Sequence, residues 1–355
     1  MQSIQANGYS IFFNDSGYGE LNSLLDDRSF SKIFILTDTN THEFCLAHFL
    51  ANVATETPIE VIEIEPGEQM KTIESCVELW TTLTELGADR KSLLINLGGG
   101  VVTDMGGFVA ATYKRGIPFI HVPTTLLGMV DASVGGKNGV DLGSLKNQVG
   151  VITPPLMLII DTDFLHTLPP RQMRSGLAEM LKHGLIADAT YWNAFSDMDT
   201  VDSVELDALI HRSIEIKNTI VLQDPTENGI RKALNFGHTL GHAIESLYLS
   251  DVNKPELLHG EAIAAGMVLE AHISLQLDLL SEQAYTQIKN RIFSMYDKLV
   301  LADEELGSIL ELLQHDKKNE FGKILFVLLH GIGNIRIDQT VSNELIFKSF
   351  EDYHS

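Results

Sequence analysis

The stretch SLLINLGGGVVTDMGGFVAATYKRG, Ser92 to Gly116, sets an apolar run of strand length against three glycines and follows it with a second apolar segment of helical length. The pattern predicts a buried strand over 92–97, a turn at Gly98-Gly99-Gly100 and a helix starting near Val101. Glycines let a backbone approach a pyrophosphate closely, and a helix N-terminus adds free N–H groups and partial positive charge. The spacing is not G-x-G-x-x-G, and an ordinary tight βα turn reads the same way. The stretch therefore decides a βα unit before it decides a ligand.

Working outward, the runs KIFILT 32–37, IEVIEI 59–64, PFIHV 118–122 and LMLIID 156–161 are β-rich, and amphipathic segments such as Ile73 to Leu86 separate them. This alternation predicts helices around a parallel sheet. After TLPPRQM, 167–173, the strand signals stop and helical periodicity takes over at 204–222, 236–249, 260–280 and 282–300. The expected organisation is an α/β dinucleotide-binding domain over 1–168 and an all-helical domain over 169–355, with the boundary near Pro169 and Pro170. A chain of 355 residues is long enough for two cores. The late run GKILFVLLHGIG, 322–333, reads equally as a strand or as a buried segment.

The formal charge of −23 argues against a nucleic-acid partner, since phosphate backbones demand an excess of Lys and Arg. No apolar run reaches the roughly 18 residues of a membrane span. Cys45 and Cys76 have neither disulfide nor metal spacing, and MQSIQANGYS lacks the basic and apolar regions of a signal peptide, so a cytoplasmic protein is expected. Against the acidic background, clustered cations become informative. HVPTTLLGMVDASVGGKNGVDLGSLKNQVG places Thr124 and Thr125 at a strand end, then Gly135-Gly136-Lys137, then Lys146-Asn147, an arrangement that presents backbone donors and ammonium groups to phosphate. In ILTDTN, Asp38 and Asn40 end a strand and suit ribose hydroxyls.

The second half carries polar side chains inside apolar helices. On one helix Arg231, Asn235, His238 and His242 of RKALNFGHTLGHAIE would share a face at i, i+4, i+7 and i+11. Glu179, Lys182 and His183 of GLAEMLKHG share another, and His259 sits just before a helix in LLHGEAIAAGM. Buried polar groups require partners, and two histidines with a carboxylate form a common catalytic metal set. Spacing does not choose among His183, His238, His242, His259, Glu179 and Glu261. HExxH is absent, which disfavours a metalloprotease.

The ordered run from GGGVVTDMGGFVAATYKRGIPFIHVPTTLLGMVDASVGGKNGV through LKNQVG, GLAEMLKHG, LNFGHTLGHAIE and LLHGEAIAAGM resembles the 3-dehydroquinate synthases, within the sugar phosphate cyclases. The likeness covers most of the chain, from about Asp38 to DKKN at 316–319. It implies a dinucleotide-binding α/β domain, a helical domain with glycerol dehydrogenase-like architecture, an active site in the cleft between them, a homodimer, NAD, and one divalent metal, zinc or cobalt. Carried over, the metal ligands would be Glu179, His238 and His259. NAD would meet Asp38, Asn40, Glu68, Lys71, Gly99, Gly100, Val101, Val102, Thr103, Asp104, Thr124, Thr125, Lys137, Lys146, Phe164, Leu165, His166 and Thr167. An anionic sugar phosphate would meet Asp131, Lys137, Asn147, Lys182, Lys217, Arg231, Asn235 and His242, with Arg115 reaching the partner subunit's site and Lys317, or its neighbour Lys318, contacting a carboxylate.

The reaction so implied belongs to the shikimate pathway of aromatic amino acid biosynthesis. 3-Deoxy-D-arabino-heptulosonate 7-phosphate is oxidised transiently at C5 by NAD, loses phosphate by β-elimination, is reduced again, opens and closes by an intramolecular aldol step. Thr103, Ala132 and Asn138 depart from the residues common at those positions, and the linker AIESLYLSDVNKPELL is long. None removes a proposed ligand. The rival readings are a cyclase for substrates lacking the carboxylate, a metal-dependent alcohol dehydrogenase, and a helical protein with structural zinc. Arg231, Asn235 and the DKK lysines favour the carboxylate-bearing substrate.

Overall fold

Strands that are buried on both faces read as continuous apolar runs, because neither face can be polar. Every residue of Leu93–Gly98 is buried, as are five of the six in Ile33–Asp38, and these two strands lie side by side inside a parallel sheet. The computed structural model describes residues 1–143, 145–195, 203–251, 253–314 and 324–355. They divide into two compact units, Met1–Met173 and Arg174–Ser355.

The first unit runs β1 (Ile4–Gln5), β2 (Ser10–Phe13), α1 (Asn14–Asp27), β3 (Ile33–Asp38), α2 (Thr39–Phe44), α3 (Leu46–Asn52), β4 (Ile59–Ile64), α4 (Ile73–Glu85), β5 (Leu93–Gly98), α5 (Gly100–Thr112), β6 (Phe119–Pro123), β7 (Lys137–Leu142), β8 (Leu145–Ile152) and β9 (Met157–Ile160). Its seven-stranded sheet has the order β1-β2-β9-β6-β5-β3-β4, parallel except for the β1–β2 edge. One side of that sheet is closed by α4 and α5, through Phe34, Leu36, Leu94, Leu79, Leu83, Met105 and Val109. Burying side chains of this size contributes about 1.5–3 kcal/mol each. Ligands of open parallel sheets bind beyond the carboxyl ends of the strands, and the proposed Asp38, Gly99 and Thr124 all lie at such ends. A feature that the residue pattern did not announce is the antiparallel pair β7–β8, which carries Lys137, Lys146 and Asn147.

Helices dominate the second unit: α6 (Pro170–Ala187), α7 (Ala189–Ala194), α8 (Ser203–Gln223), α9 (His238–Ser250), α10 (His259–Gln276), α11 (Glu282–Met295), α12 (Asp303–Gln314) and, after the strands β10 (Leu325–Leu329) and β11 (Ile335–Thr340), α13 (Asn343–His354). Pro170 opens α6, where its missing N–H is no loss. The run 322–333 contains a strand, so this unit is helical with one antiparallel hairpin added. β10 is buried at four of its five residues, which is why an apolar run without alternation hid a strand. Among the described residues no helix is long and apolar enough to cross a membrane.

Candidate active site

In the first unit the turn Gly98-Gly99-Gly100 passes from β5 directly into α5, whose cap residue, Gly99, has no side chain to occupy the helix N-terminus. A Cβ at Gly99 would come within 3.0 Å of the Thr125 side chain, and one at Gly100 within 3.2 Å of Ala132 Cβ. Glycine at both positions keeps the first amides of α5 accessible at the strand ends, which suits a pyrophosphate. Asp38 closes β3 and caps α2, its Oδ1 accepting from Thr41 N at 2.8 Å. Asn40 is exposed on α2, while Phe164 is buried and His166 exposed in the 3-10 turn Thr162–Thr167. Lys71 donates to Asp104 Oδ2 at 2.6 Å and to Asn147 Oδ1 at 2.7 Å. Lys146 is paired with Glu68. Burial works against the charge on Lys71, but Asp104 and Glu68 outweigh it and raise its pKa. Arg115 and Lys114 both adopt left-handed φ, 71° and 50°, at the end of α5.

A chain of buried amides holds the lysine loop. Asn138 donates from Nδ2 to the carbonyls of Gly136 (3.0 Å) and Thr153 (2.8 Å), so its Oδ1 faces His121 Nε2 at 3.3 Å as an acceptor. Nε2 then carries the imidazole proton, and Nδ1 accepts from Asn96 Nδ2 at 3.2 Å. Gly106 and Gly107 leave room for this chain. A Cβ at Gly107 would lie 1.8 Å from Asn138 Oδ1, and one at Gly106 2.0 Å from Asn96 Oδ1. The departure at Asn138 thus anchors the backbone next to Lys137.

Burial holds His121 down at about 4, against an ordinary value of 6.5. The folded protein therefore binds fewer protons than the unfolded chain between these values. Its stability from this group is complete above pH 6.5 and falls as the pH drops toward 4, by about 3 kcal/mol in all. Between pH 7 and pH 5 the wild type is expected to lose about 2 kcal/mol more than His121→Gln in denaturant unfolding of this unit. Equal losses in both proteins would show that the proton binds elsewhere.

In the second unit three helices bring acid and imidazole together. α6 buries Glu179, Lys182 and His183 completely or nearly so. Lys182 pairs with Glu179, and His183 Nδ1 lies 2.7 Å from Ser213 Oγ on α8. His238 Nδ1 donates to Phe236 O at 3.1 Å, and His259 Nδ1 to Glu245 Oε2 at 3.3 Å. Each ring thus turns Nε2 toward Glu179 Oε1, at 3.5 Å from His238 and 3.6 Å from His259. With Nδ1 bearing the proton, Nε2 of a neutral ring offers its lone pair. Two such nitrogens facing a carboxylate oxygen fit a divalent cation, which would displace a proton held there and have positions left open. Burial opposes charge on His259, yet Glu245 and Glu179 prevail and lift its pKa to about 10. The site already draws positive charge.

The His242 ring lies 5.0 Å from that of His238 and 5.7 Å from that of His259, and ligand atoms of the three histidines gather within 4.8 Å. The single helical face predicted for Arg231, Asn235, His238 and His242 is not formed. Arg231 and Asn235 belong to a separate 3-10 turn, Ile230–Asn235, and Gly237 breaks the chain at φ 76° before α9 starts at His238. The apolar spacing survived a break that only left-handed glycine permits. Arg231 is buried and donates to Pro225 O at 2.6 Å, Asn235 donates to Glu227 Oε1 at 2.8 Å, and Lys217 is buried on α8. Asp131 lies in a π-helical turn of the first unit. Lys317 and Lys318 fall outside the described residues.

Two carboxylates escaped the sequence reading. Glu245 orients His259, and Glu270, fully buried on α10, accepts from Gly237 N (2.7 Å) and Leu240 N (3.1 Å) at the start of α9. Both stand in apolar helices, and the cost of burying a charge without partners was the available signal.

The family models for the N-terminal and C-terminal parts of 3-dehydroquinate synthase match residues 61–175 and 176–319. A 3-dehydroquinate synthase of Parabacteroides distasonis is 44% identical over 336 residues, covering 94% of each chain. Among solved structures, a 2-epi-5-epi-valiolone synthase from Streptomyces hygroscopicus with NAD+ and Zn2+ bound aligns with TM-score 0.86 at 25% identity, over 100% of this chain and 99% of the other. A 2-deoxy-scyllo-inosose synthase complexed with carbaglucose-6-phosphate, NAD+ and Co2+ aligns with TM-score 0.84 at 26% identity, over 99% of both. With both halves matched and the sequence likeness spanning nearly the whole chain, the protein belongs to the 3-dehydroquinate synthase family.

Proposed function

We propose that this chain converts 3-deoxy-D-arabino-heptulosonate 7-phosphate to 3-dehydroquinate and phosphate, acting as an NAD- and metal-dependent lyase of the shikimate pathway. The observation that carries the reading is the convergence of His238 and His259 on Glu179 in a chain matched along both halves by this family. In this reading Glu179, His238 and His259 hold one divalent cation, zinc or cobalt. The open-sided set of three favours a catalytic over a purely structural metal. NAD is held by the α5 N-terminus, Asp38, Asn40, Glu68, Lys71, Asp104, Thr124, Thr125 and the 164–167 turn. When bound, the two groups supply a reversible hydride acceptor and polarisation of the substrate's hydroxyls.

The chain's own residues do the rest. Lys137, Lys146 and Asn147 of the first unit, and Lys182, Lys217, Arg231 and Asn235 of the second, offer cations and amides to a phosphate and a carboxylate, as a protein of formal charge −23 requires if it is to hold a polyanion. Asp131 binds substrate hydroxyls, Arg115 serves the partner subunit of a homodimer, and the carboxylate contact falls to Lys317 or its neighbour Lys318. His242 donates to the substrate's phosphate or carries a proton there. The expected setting is the cytoplasm.

The test uses purified protein with NAD and zinc. On adding the heptulosonate phosphate, phosphate release and absorbance at the NADH wavelength are followed together. Phosphate release without NADH accumulation is expected. Net NADH would favour an alcohol dehydrogenase, and silence in both signals, with turnover of a substrate lacking the carboxylate, would favour another cyclase.

A further inference from the structure

We propose that Asp141 is a positioning residue that holds the cofactor-side Lys71 and the substrate-side Lys146 and Asn147 in one arrangement. The proposal rests on the roles given above to those three residues and adds one that they leave out. β7 and β8 pair from Lys137 opposite Ile152 to Val140 opposite Val149, and then the register shifts before Leu142 pairs with Leu145. The extra residues lie on β8, where Lys146 to Gln148 stand between Leu145 and Val149 opposite the single Asp141. Such an irregularity breaks the ladder at this point. Here the freed N–H of Asp141 donates to Lys71 O at 2.9 Å.

The carboxylate faces the other strand. Oδ1 accepts from Asn147 N at 2.6 Å, and Oδ2 lies 3.6 Å from Lys146 Nζ. Asn147 has φ 50°, a left-handed conformation that asparagine takes more readily than most residues. The bond to Asp141 fixes its amide in that conformation, in which the Asn147 side chain receives Lys71 Nζ at 2.7 Å. Asp141 is 7% exposed and Lys71 4%, so water does not replace these contacts. Backbone and side chain of Lys71, backbone and side chain of Asn147, and the ammonium of Lys146 thus form one closed circuit through Asp141. Charge alone does not explain the arrangement. Glu68 and Asp104 already face the two lysines. Of these three acids, Asp141 is the one that bonds the backbones of both Lys71 and Asn147 among the described residues.

Asp141→Leu and Asp141→Asn separate positioning from simple anchoring of the hairpin. Asparagine keeps an oxygen for the Asn147 amide and removes the charge beside Lys146; leucine removes both. Holoenzyme variants are compared by NAD dissociation constant, inhibition constant of inorganic phosphate, kcat, KM and calorimetric stability. Asp141→Leu is expected to weaken NAD and phosphate together by about tenfold or more, with Asp141→Asn intermediate at roughly threefold, since hydrogen bonds to charged groups are of that size. A loss of stability with both constants within about twofold of wild type would overturn the proposal. Should the leucine variant fail to fold, unchanged constants in Asp141→Asn overturn it equally. If the wild type itself does not release phosphate from the heptulosonate, the proposed function falls, whereas the NAD titrations still decide the role of Asp141.

Discussion

His238→Ala is expected to empty the metal site, with affinity for zinc or cobalt reduced by about 100-fold or more, whereas His242→Ala retains the metal and loses about 100- to 10,000-fold in turnover. The difference follows from how each ring is held. His238 commits Nδ1 to the Phe236 carbonyl and aims Nε2 at Glu179 Oε1, a carboxylate oxygen that His259 also faces. In the proposed set, removing one of three ligands leaves two, and the buried Glu179 falls back on Lys182. His242 stands one turn along α9, with its ring beside the other two. Elemental analysis of the purified variants gives the metal content, and phosphate release gives the turnover. Equal metal loss in both variants would make His242 a ligand, an arrangement that three histidines within 4.8 Å also accommodate.

Much of this geometry could be read from residues alone, and the reasons are local. β3 and β5 announce themselves because a strand buried on both faces has to be apolar throughout. Glu179, His238 and His259 stood out as polar side chains in apolar helices, although spacing could not choose among the histidines. That choice needs His259 Nδ1 on Glu245 and His238 Nδ1 on a carbonyl, contacts across elements that no periodicity encodes. The β7–β8 pair was hidden for a different reason. Its turn-rich sequence reads as a loop, and its strands are fixed by Asn138 bonding carbonyls at the hairpin's open end, by Asp141 bonding Asn147 N across it, and by the Asp141 amide reaching Lys71 O. The supposed single face of Arg231, Asn235, His238 and His242 failed at Gly237, because a left-handed residue resets the helical phase without disturbing the apolar pattern around it.

The glycines where α9 meets α10 lead to the second large effect. Gly266→Ala is expected to cost about 3 kcal/mol of stability in the helical unit and to weaken metal binding by about tenfold or more. A Cβ at Gly266 would lie 1.9 Å from Gly237 O and 2.8 Å from Gly241 N. Both neighbours are backbone, so no rotamer change relieves the overlap. Gly237 is itself pinned, since its amide donates to the buried Glu270 and its φ of 76° suits glycine. α10 must therefore move away from α9 by roughly 1 Å in a close-packed interior. His238 begins α9 and His259 begins α10, so the same displacement separates the two rings that face Glu179. Gly241→Ala offers a graded comparison. Its Cβ would meet Ile263 Cδ1 at 2.9 Å, the end of a side chain that can turn, and Ala262 O at 3.1 Å. Gly307→Ala in α12, with nothing within 4 Å, should be neutral or stabilise by up to about 1 kcal/mol through helix propensity. Calorimetry and metal titration should therefore place Gly266→Ala well below Gly241→Ala, and both below Gly307→Ala. A Gly266→Ala protein with wild-type stability and metal content would mean that close approach of these two helices does not set the spacing of His238 and His259.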